Sequence, residues 1–156
     1  MNKYQQIAKR IVTASRVLDV GCGAGDLGRS LNGKQCKVTG WDLKLDRINA
    51  NREAYQLLEE HDIEKQGFGS EKYDVIVFSD VLEHLSDPEK VLKKSRESLS
   101  SGGMLLVSLP NVAYLDNRIG LLKGNWNYID EGVLDRTHLK FFTLVTAEQL
   151  FVSAGY

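Results

Sequence analysis

The feature that most restricts this chain is a short apolar run that passes directly into a cluster of glycines. Val17-Leu18-Asp19-Val20 leads into Gly21-Cys22-Gly23-Ala24-Gly25-Asp26, and Gly28 follows. A run that is apolar at consecutive rather than alternate positions reads as a strand covered on both faces. Glycines let the backbone turn sharply there and leave no Cβ between the main chain and a bound molecule. The pattern is strand, tight loop, helix start. In open parallel sheets ligands settle beyond the carboxyl ends of the strands, where the strand order reverses. This loop is therefore the first candidate binding element.

The rest of the chain alternates in the same way. Tyr4, Ile7, Ala8 and Ile11 share one face of an N-terminal helix, and KVTGWD (37–42) reads as a second strand. Residues 46–59 read as helix, with a weak third strand just before Asp62. YDVIVFSD (73–80) is the clearest strand, continuously apolar from Val75 to Phe78. Asp87 and Pro88 supply an N-cap and a first helical residue, and Gly102 and Gly103 are expected to end that helix. MLLVSLP (104–110) is a further buried strand stopped by Pro110, and a last helix is expected from about Thr146 to Ala154. Strands alternating with helices predict an α/β fold: a doubly wound, mainly parallel, Rossmann-like sheet in a single domain, 1–156.

The polar residues fall where such a sheet would bind a ligand. Asp42 ends the second strand, placed to accept both hydroxyls of a ribose. Asp62 is placed to take a hydrogen bond from an adenine amino group, with Ile63 packing on the ring. Gly23-x-Gly25-x-x-Gly28 also satisfies the dinucleotide fingerprint, so a nicotinamide-dependent oxidoreductase is an alternative. Charge separates the two: Asp19 and Asp26, with no lysine near in sequence, oppose a pyrophosphate and favour a ligand carrying ammonium and sulfonium groups. A P-loop is excluded, because no Gly-Lys-Ser/Thr is present.

These residues carry a family resemblance. VLDVGCGAGDLG (17–28) resembles the first motif of class I S-adenosylmethionine (SAM) dependent methyltransferases, GWDL (40–43) the second and YDVIVFSDVLEHLSDPEKVL (73–92) the fourth. Leu82-Glu83-His84-Leu85 is similar to an element of the small-molecule branch. The resemblance implies SAM as cofactor, with Asp19, Gly21 and Gly23 facing its methionine moiety within a loop that includes Cys22 and Gly25. It implies Asp42 and Leu43 at the ribose, Asp62 and Ile63 at the adenine, and Ser79 and Asp80 at the mouth between cofactor and acceptor. In that family a helix ending Ala-Gly-Phe/Tyr leads into a sixth strand and an antiparallel seventh. The sequence ends at Ala154-Gly155-Tyr156, so a sheet without those two strands is expected. The fifth strand then becomes an apolar edge, open to pairing with a second copy unless residues 111–145 cover it.

Residues 111–145 read as an insertion over the substrate side. They hold Tyr114, Trp126, Tyr128, Phe141 and Phe142, with Arg118, Lys123, Arg136, His138 and Lys140 between them. The aromatics serve equally as a small core under a long loop. LDRTHLKFFT (134–143) resembles a segment of bacterial methyltransferases of glycan, lipid and surface-polysaccharide biosynthesis, which implies a small-molecule or glycan acceptor methylated at oxygen. Removing a hydroxyl proton calls for a base such as histidine. His84 and His138 are the candidates, each equally suited to a structural hydrogen bond. His61 sits in a charged stretch and is expected at the surface.

Composition adds exclusions. A net charge of -1 gives no basic footprint for nucleic acid, and no apolar run reaches membrane-spanning length. Cys22 and Cys36 have no metal-ligand spacing, no metal site is evident, and two cysteines in such a chain point to a reducing, cytoplasmic setting. An inert SAM-binding or partner-binding domain remains the non-enzymatic alternative.

Overall fold

The computed structural model describes residues 1–156. Its centre is a five-stranded, all-parallel sheet of order β3-β2-β1-β4-β5. The strands are β1 (Arg16–Val20), β2 (Lys37–Asp42), β3 (Leu57–Glu60), β4 (Tyr73–Ser79) and β5 (Leu99–Ser108). The helices are α1 (Lys3–Arg10), α2 (Asp26–Ser30), α3 (Ile63–Gln66), α4 (Pro88–Glu97), α5 (Leu115–Leu122) and α6 (Leu144–Ser153). Strand order reverses between β1 and β4, which puts the glycine loop at the switch point.

The continuous apolar runs are explained by two cores. Alternate residues of each strand point to opposite faces, so Val17, Val38, Val75 and Val77 join Ile7, Ile11, Leu27 and Leu31 on one side. Leu18, Val20, Trp41, Ile76 and Phe78 join Leu82, Val91 and Leu92 on the other. Burying each such side chain is worth about 1.5–3 kcal/mol, so the central strands β1 and β4 dominate the fold's stability. Asp87 caps α4 by accepting from the Lys90 N–H at 3.0 Å, with Pro88 in the first turn.

Several expectations need correction. Residues 46–59 are not one helix: Asn49–Ala54 form a 3-10 turn and β3 follows. β3 lies at the sheet edge with only Leu58 partly buried, so its sequence carries little strand signal. Gly102 and Gly103 do not end α4, whose cap is Ser98. They lie within β5, where Gly102 takes φ +74° and the pairing to β4 shifts register between Tyr73 and Val75. Residues 111–140 include α5, which has no buried residue and hence no apolar stripe to reveal it. His61 is not simply solvated: its ring stacks on Trp41 with centroids 4.0 Å apart, and Nε2 lies 2.7 Å from the Gly67 carbonyl.

β5 is the sheet edge, and its apolar residues are half-buried rather than enclosed. The chain returns beside its end through a bridge between Asn111 and Phe142, with the Val112 N–H donating to the Phe142 carbonyl at 2.8 Å. No helix is long and apolar enough to cross a membrane.

Candidate active site

The glycine loop turns on three left-handed residues, Gly21 (φ +73°), Gly23 (φ +52°) and Gly25 (φ +79°). Space as well as conformation demands glycine at position 21, since a Cβ there would lie 2.4 Å from Cγ2 of Val81. That contact joins the loop to the turn after β4. The Gly21 and Cys22 N–H groups donate to the Trp41 carbonyl at 2.7 and 3.0 Å, anchoring the loop on β2. Cys22 is buried, and burial beside Asp19 and Asp42 pushes its thiol up to about 12, so it packs rather than reacts.

The two acids of the loop region are differently held. Asp42 reaches across to the loop: Oδ2 accepts from the Gly23 N–H at 2.8 Å and Oδ1 from the Lys44 N–H at 3.3 Å. Asp19 is buried, and its Oδ2 accepts from the Tyr55 hydroxyl at 2.7 Å; that hydroxyl also accepts from the Gly28 N–H at 3.2 Å. Burial raises the Asp19 carboxyl to about 7, against the lowering effect of the Tyr55 bond, and Asp42 raises it further. Tyr55 was not a sequence candidate, because nothing in its local pattern marks a residue that will stand against Asp19 and Gly28.

The sequence shows no lysine near this loop, yet the fold supplies a cation: an Arg47 guanidinium nitrogen lies 3.2 Å from where a Gly23 Cβ would stand. Asp26 is paired with Arg29 at 2.8 Å. The loop is therefore less acidic than its sequence suggests, and charge alone does not choose its ligand. Leu43 is exposed, while Ile63 is buried in the core. Asp62 caps α3, accepting from the Glu64 and Lys65 N–H groups at 3.2 and 3.3 Å. Cβ atoms at Gly21, Gly25 and Gly28 would meet Val81, Asn51 and Tyr55 at 2.4, 2.8 and 2.4 Å, so these glycines answer to packing within the chain, and Gly23, with the partly exposed Asp42 carboxylate beside it, is left as the approach for a nucleoside bearing an amino-acid tail.

Beyond β4 lies the acceptor side. Asp80, at φ +56°, pairs with Lys3 of α1 and accepts from the Ser108 hydroxyl at 2.7 Å; Ser79 and Ser108 hydroxyls are 3.2 Å apart. A cleft of about 310 Å³ opens here, with Asp80, Glu83, His84, Pro110, Asp135 and His138 in its wall. A larger concavity, about 630 Å³, lies at the amino end of β5 by Arg96 and Gly102, away from the strands' carboxyl ends.

The fold brings together the two histidine candidates, 54 positions apart in sequence, with rings edge-to-face at 4.8 Å. His84 is exposed; its Nδ1 lies 3.3 Å from the Thr137 carbonyl and 3.2 Å from the Thr137 hydroxyl. That hydroxyl donates its proton to Asp135 at 2.7 Å, and a carbonyl only accepts, so Nδ1 of His84 is the donor here and Nε2 is left facing away from these partners. His138 is enclosed, with Nδ1 at 3.2 Å from the Val133 carbonyl and Nε2 at 4.0 Å from Oε1 of Glu83.

Glu83 is the residue the sequence reading missed as chemistry. It is 1% exposed, and neither carboxylate oxygen has a hydrogen-bond partner. Burial pushes its carboxyl up to about 7. Its backbone carbonyl accepts from both the Leu139 and Lys140 N–H groups, at 2.8 and 3.0 Å. The available signal was an acid between Leu82 and Leu85, both of which enter the core. Trp126 and Phe141 (centroids 5.3 Å apart) continue the aromatic wall from His138, with Tyr128 beside them.

Fold and loop together define a class: the doubly wound α/β domain of the SAM-dependent methyltransferases. The chain belongs to the methyltransferase domain family, whose profile, described as "Methyltransferase domain", matches residues 1–156. It is 33% identical over 107 residues to the ubiquinone biosynthesis O-methyltransferase of Glaesserella parasuis, covering 62% of this chain and 45% of that protein. The protein of the same name from Psychrobacter arcticus is 27% identical over 165 residues, covering 98% and 63%. Among solved structures, a SAM-dependent methyltransferase of Thermotoga maritima, described as a possible histamine N-methyltransferase, superimposes with a TM-score of 0.72 at 19% identity, covering 97% of this chain and 68% of that one. A putative O-methyltransferase of Nostoc punctiforme gives 0.69 at 21% identity, covering 98% and 49%. The chain spans about half the length of the first of these curated relatives. The family's cofactor is SAM, and the oxidoreductase alternative falls with it.

Proposed function

We propose that this domain transfers a methyl group from SAM to a hydroxyl oxygen of a small acceptor held in the cleft beside Asp80, His84 and Asp135. The observation that carries this reading is the contact between the two halves of the site. Gly21 of the loop packs on Val81, and the turn that follows Val81 carries His84 into the cleft. The names of the curated relatives, O-methyltransferases of ubiquinone biosynthesis, support oxygen as the attacked atom.

Bound SAM supplies an activated methyl group on a sulfonium. The chain's part is to align the acceptor in line with that methyl and to exclude water. In the proposed binding mode Gly21, Cys22, Gly23 and Gly25 take the methionine end with Asp19 behind them. Asp42 and Leu43 border the ribose, and the start of α3 at Asp62 borders the adenine, with Ile63 in the core holding that turn from beneath. Ser79 and Asp80 stand between cofactor and acceptor. Trp126, Tyr128 and Phe141 form an apolar wall suited to a ring, aromatic or glycosyl. The acceptor's O–H must lose its proton as the C–O bond forms and the C–S bond breaks, and His84 and His138 assist that loss.

A radiolabelled-methyl assay against hydroxylated aromatic and glycosyl acceptors tests the proposal. Transfer to oxygen that falls at least about tenfold in His84→Ala, with SAM affinity kept, is the expected result. Binding of S-adenosylhomocysteine without transfer to any acceptor would instead identify an inert SAM-binding domain.

A further inference from the structure

The chain makes room for the ring of Tyr55 at three separate glycines. A Cβ would lie 2.4 Å from that ring at Gly28, 2.8 Å at Gly40 and 3.2 Å at Gly25. Gly40 belongs to β2, Gly25 caps α2 and Gly28 lies within it, so the slot is cut from two elements. At its end the Tyr55 hydroxyl donates to Oδ2 of Asp19 at 2.7 Å and accepts from the Gly28 N–H at 3.2 Å. Asp19 stands two residues from Val17 and so shares its face of β1, with Gly40 and Val77 beside it in register. Position 19 is thus a place in an apolar core, and an acid that is 2% exposed there is costly unless hydrogen-bonded.

We infer that Tyr55 is a positioning residue for cofactor binding: from its glycine slot the hydroxyl holds the Asp19 carboxylate as an anion behind the loop that takes the cationic methionine end of SAM. The inference rests on the binding mode proposed above.

Packing alone does not account for the pair. A phenylalanine fills the same slot, and replacing both members of a buried hydrogen bond by apolar groups of the same shape is close to neutral or stabilising. The bond engages Oδ2 and leaves Oδ1 unengaged by the tyrosine. Burial pushes the Asp19 carboxyl up to about 7, the Tyr55 bond opposes that rise, and Asp42 at the end of β2 adds to it. In the loop, the Cys22 thiol is held protonated by burial, and Arg47 stands over Gly23. From β4 Asp19 meets Val77, α1 packs on this core through Ile7 and Ile11, and on α2 Asp26 is paired with Arg29. Tyr55 is therefore the group that favours the anion, and near neutral pH losing its hydroxyl turns Asp19 into the neutral acid.

The test compares the wild-type chain with Tyr55→Phe, which keeps the ring in the slot, and with Asp19→Asn. The ligand is S-adenosylhomocysteine, whose tail carries the same ammonium, and calorimetry follows its affinity from about pH 5 to about pH 9. Wild-type affinity should rise with pH through about 7, as Asp19 ionises. In Tyr55→Phe that midpoint should move up by at least about one pH unit, because a hydrogen bond to a charged group is worth a tenfold change in proton affinity or more. Near neutral pH the variant should then bind roughly three- to tenfold more weakly, with the gap closing at the alkaline end. Asp19→Asn should show no step at that midpoint. The ligand's own amino group titrates alike against each protein and cancels in the comparison. Carbon-13 NMR of the Asp19 carboxyl in the cofactor-free chain should show the same displacement. A fluorotyrosine at position 55 keeps the hydroxyl, makes it a stronger donor and should move the midpoint down, which serves if Tyr55→Phe does not fold. A Tyr55→Phe profile weaker by one factor at every pH would mean that Tyr55 only packs, and would overturn the inference. So would an Asp19→Asn profile that keeps the wild-type step, or a midpoint indifferent to fluorination. Wild type that binds with coincident profiles removes this inference alone; wild type that binds no S-adenosylhomocysteine at any pH removes the binding mode and this inference with it.

Discussion

Replacing Asp19 by Asn isolates the most perturbed acid of the cofactor loop. Burial raises its carboxyl from an ordinary 3.8 to about 7. A group whose folded pKa lies above its unfolded one binds protons more tightly in the folded state. Its stabilising contribution is complete below about pH 4 and is lost as pH rises to about 7. At about 1.4 kcal/mol per tenfold change in proton affinity, the wild-type chain loses up to ~4 kcal/mol through Asp19 over that window. Asn keeps the size of the side chain and the acceptor for the Tyr55 hydroxyl but does not titrate. The stability of Asp19→Asn relative to wild type should therefore climb by up to ~4 kcal/mol between pH 4 and pH 8, or roughly 10 °C in melting temperature for a chain of this size. Urea unfolding of both proteins across that range, followed by far-UV circular dichroism, measures it. Parallel pH profiles would refute the reasoning and show that Asp19 is already ionised in the folded state well below pH 7.

Asp42→Ala should weaken S-adenosylhomocysteine by about 1–3 kcal/mol in calorimetry, since it removes the proposed ribose acceptor together with the tie to the Gly23 N–H. Gly21→Ala should lower unfolding free energy by about 2–4 kcal/mol in urea titrations, because it combines a left-handed φ with a Cβ driven against Val81. Asp87→Ala should reduce stability by about 1 kcal/mol with cofactor affinity unchanged, as α4 loses its cap on Lys90 N–H.

What could be read from the chain follows from where each signal is stored. β1 and β4 were legible because burial on both faces writes itself as runs of apolar residues, and β2 through the alternation of Val38 and Trp41 about Thr39 and Gly40 ahead of Asp42. α4 was legible at its start, because Asp87 and Pro88 act locally, but not at its end. There Gly102 serves a strand irregularity rather than a helix cap. β3 was legible only as a weak strand just before Asp62, its first residues read as helix, and α5 escaped altogether, because an edge strand and a helix without buried residues need little pattern. In the site, the glycines and Asp42 declare themselves by spacing. The Asp19–Tyr55 bond spans 36 positions, and the Glu83 and His138 side chains meet only because residues 134–142 fold back on the turn after β4. Arg47 shows the same limit: its charge counts at the loop only after the chain between β2 and β3 has turned it there.

The way the 134–142 segment is fastened has a consequence for how such a domain changes over time. Leu139 and Lys140 hang from the carbonyl oxygen of Glu83, an atom every amino acid possesses. The side chain at position 83 is thus free to be exchanged without releasing the wall that shapes the cleft. Side chain and enclosure are inherited separately at a single residue, so a lineage can try new acids, amides or apolar groups in the cleft wall while the container stays closed around them.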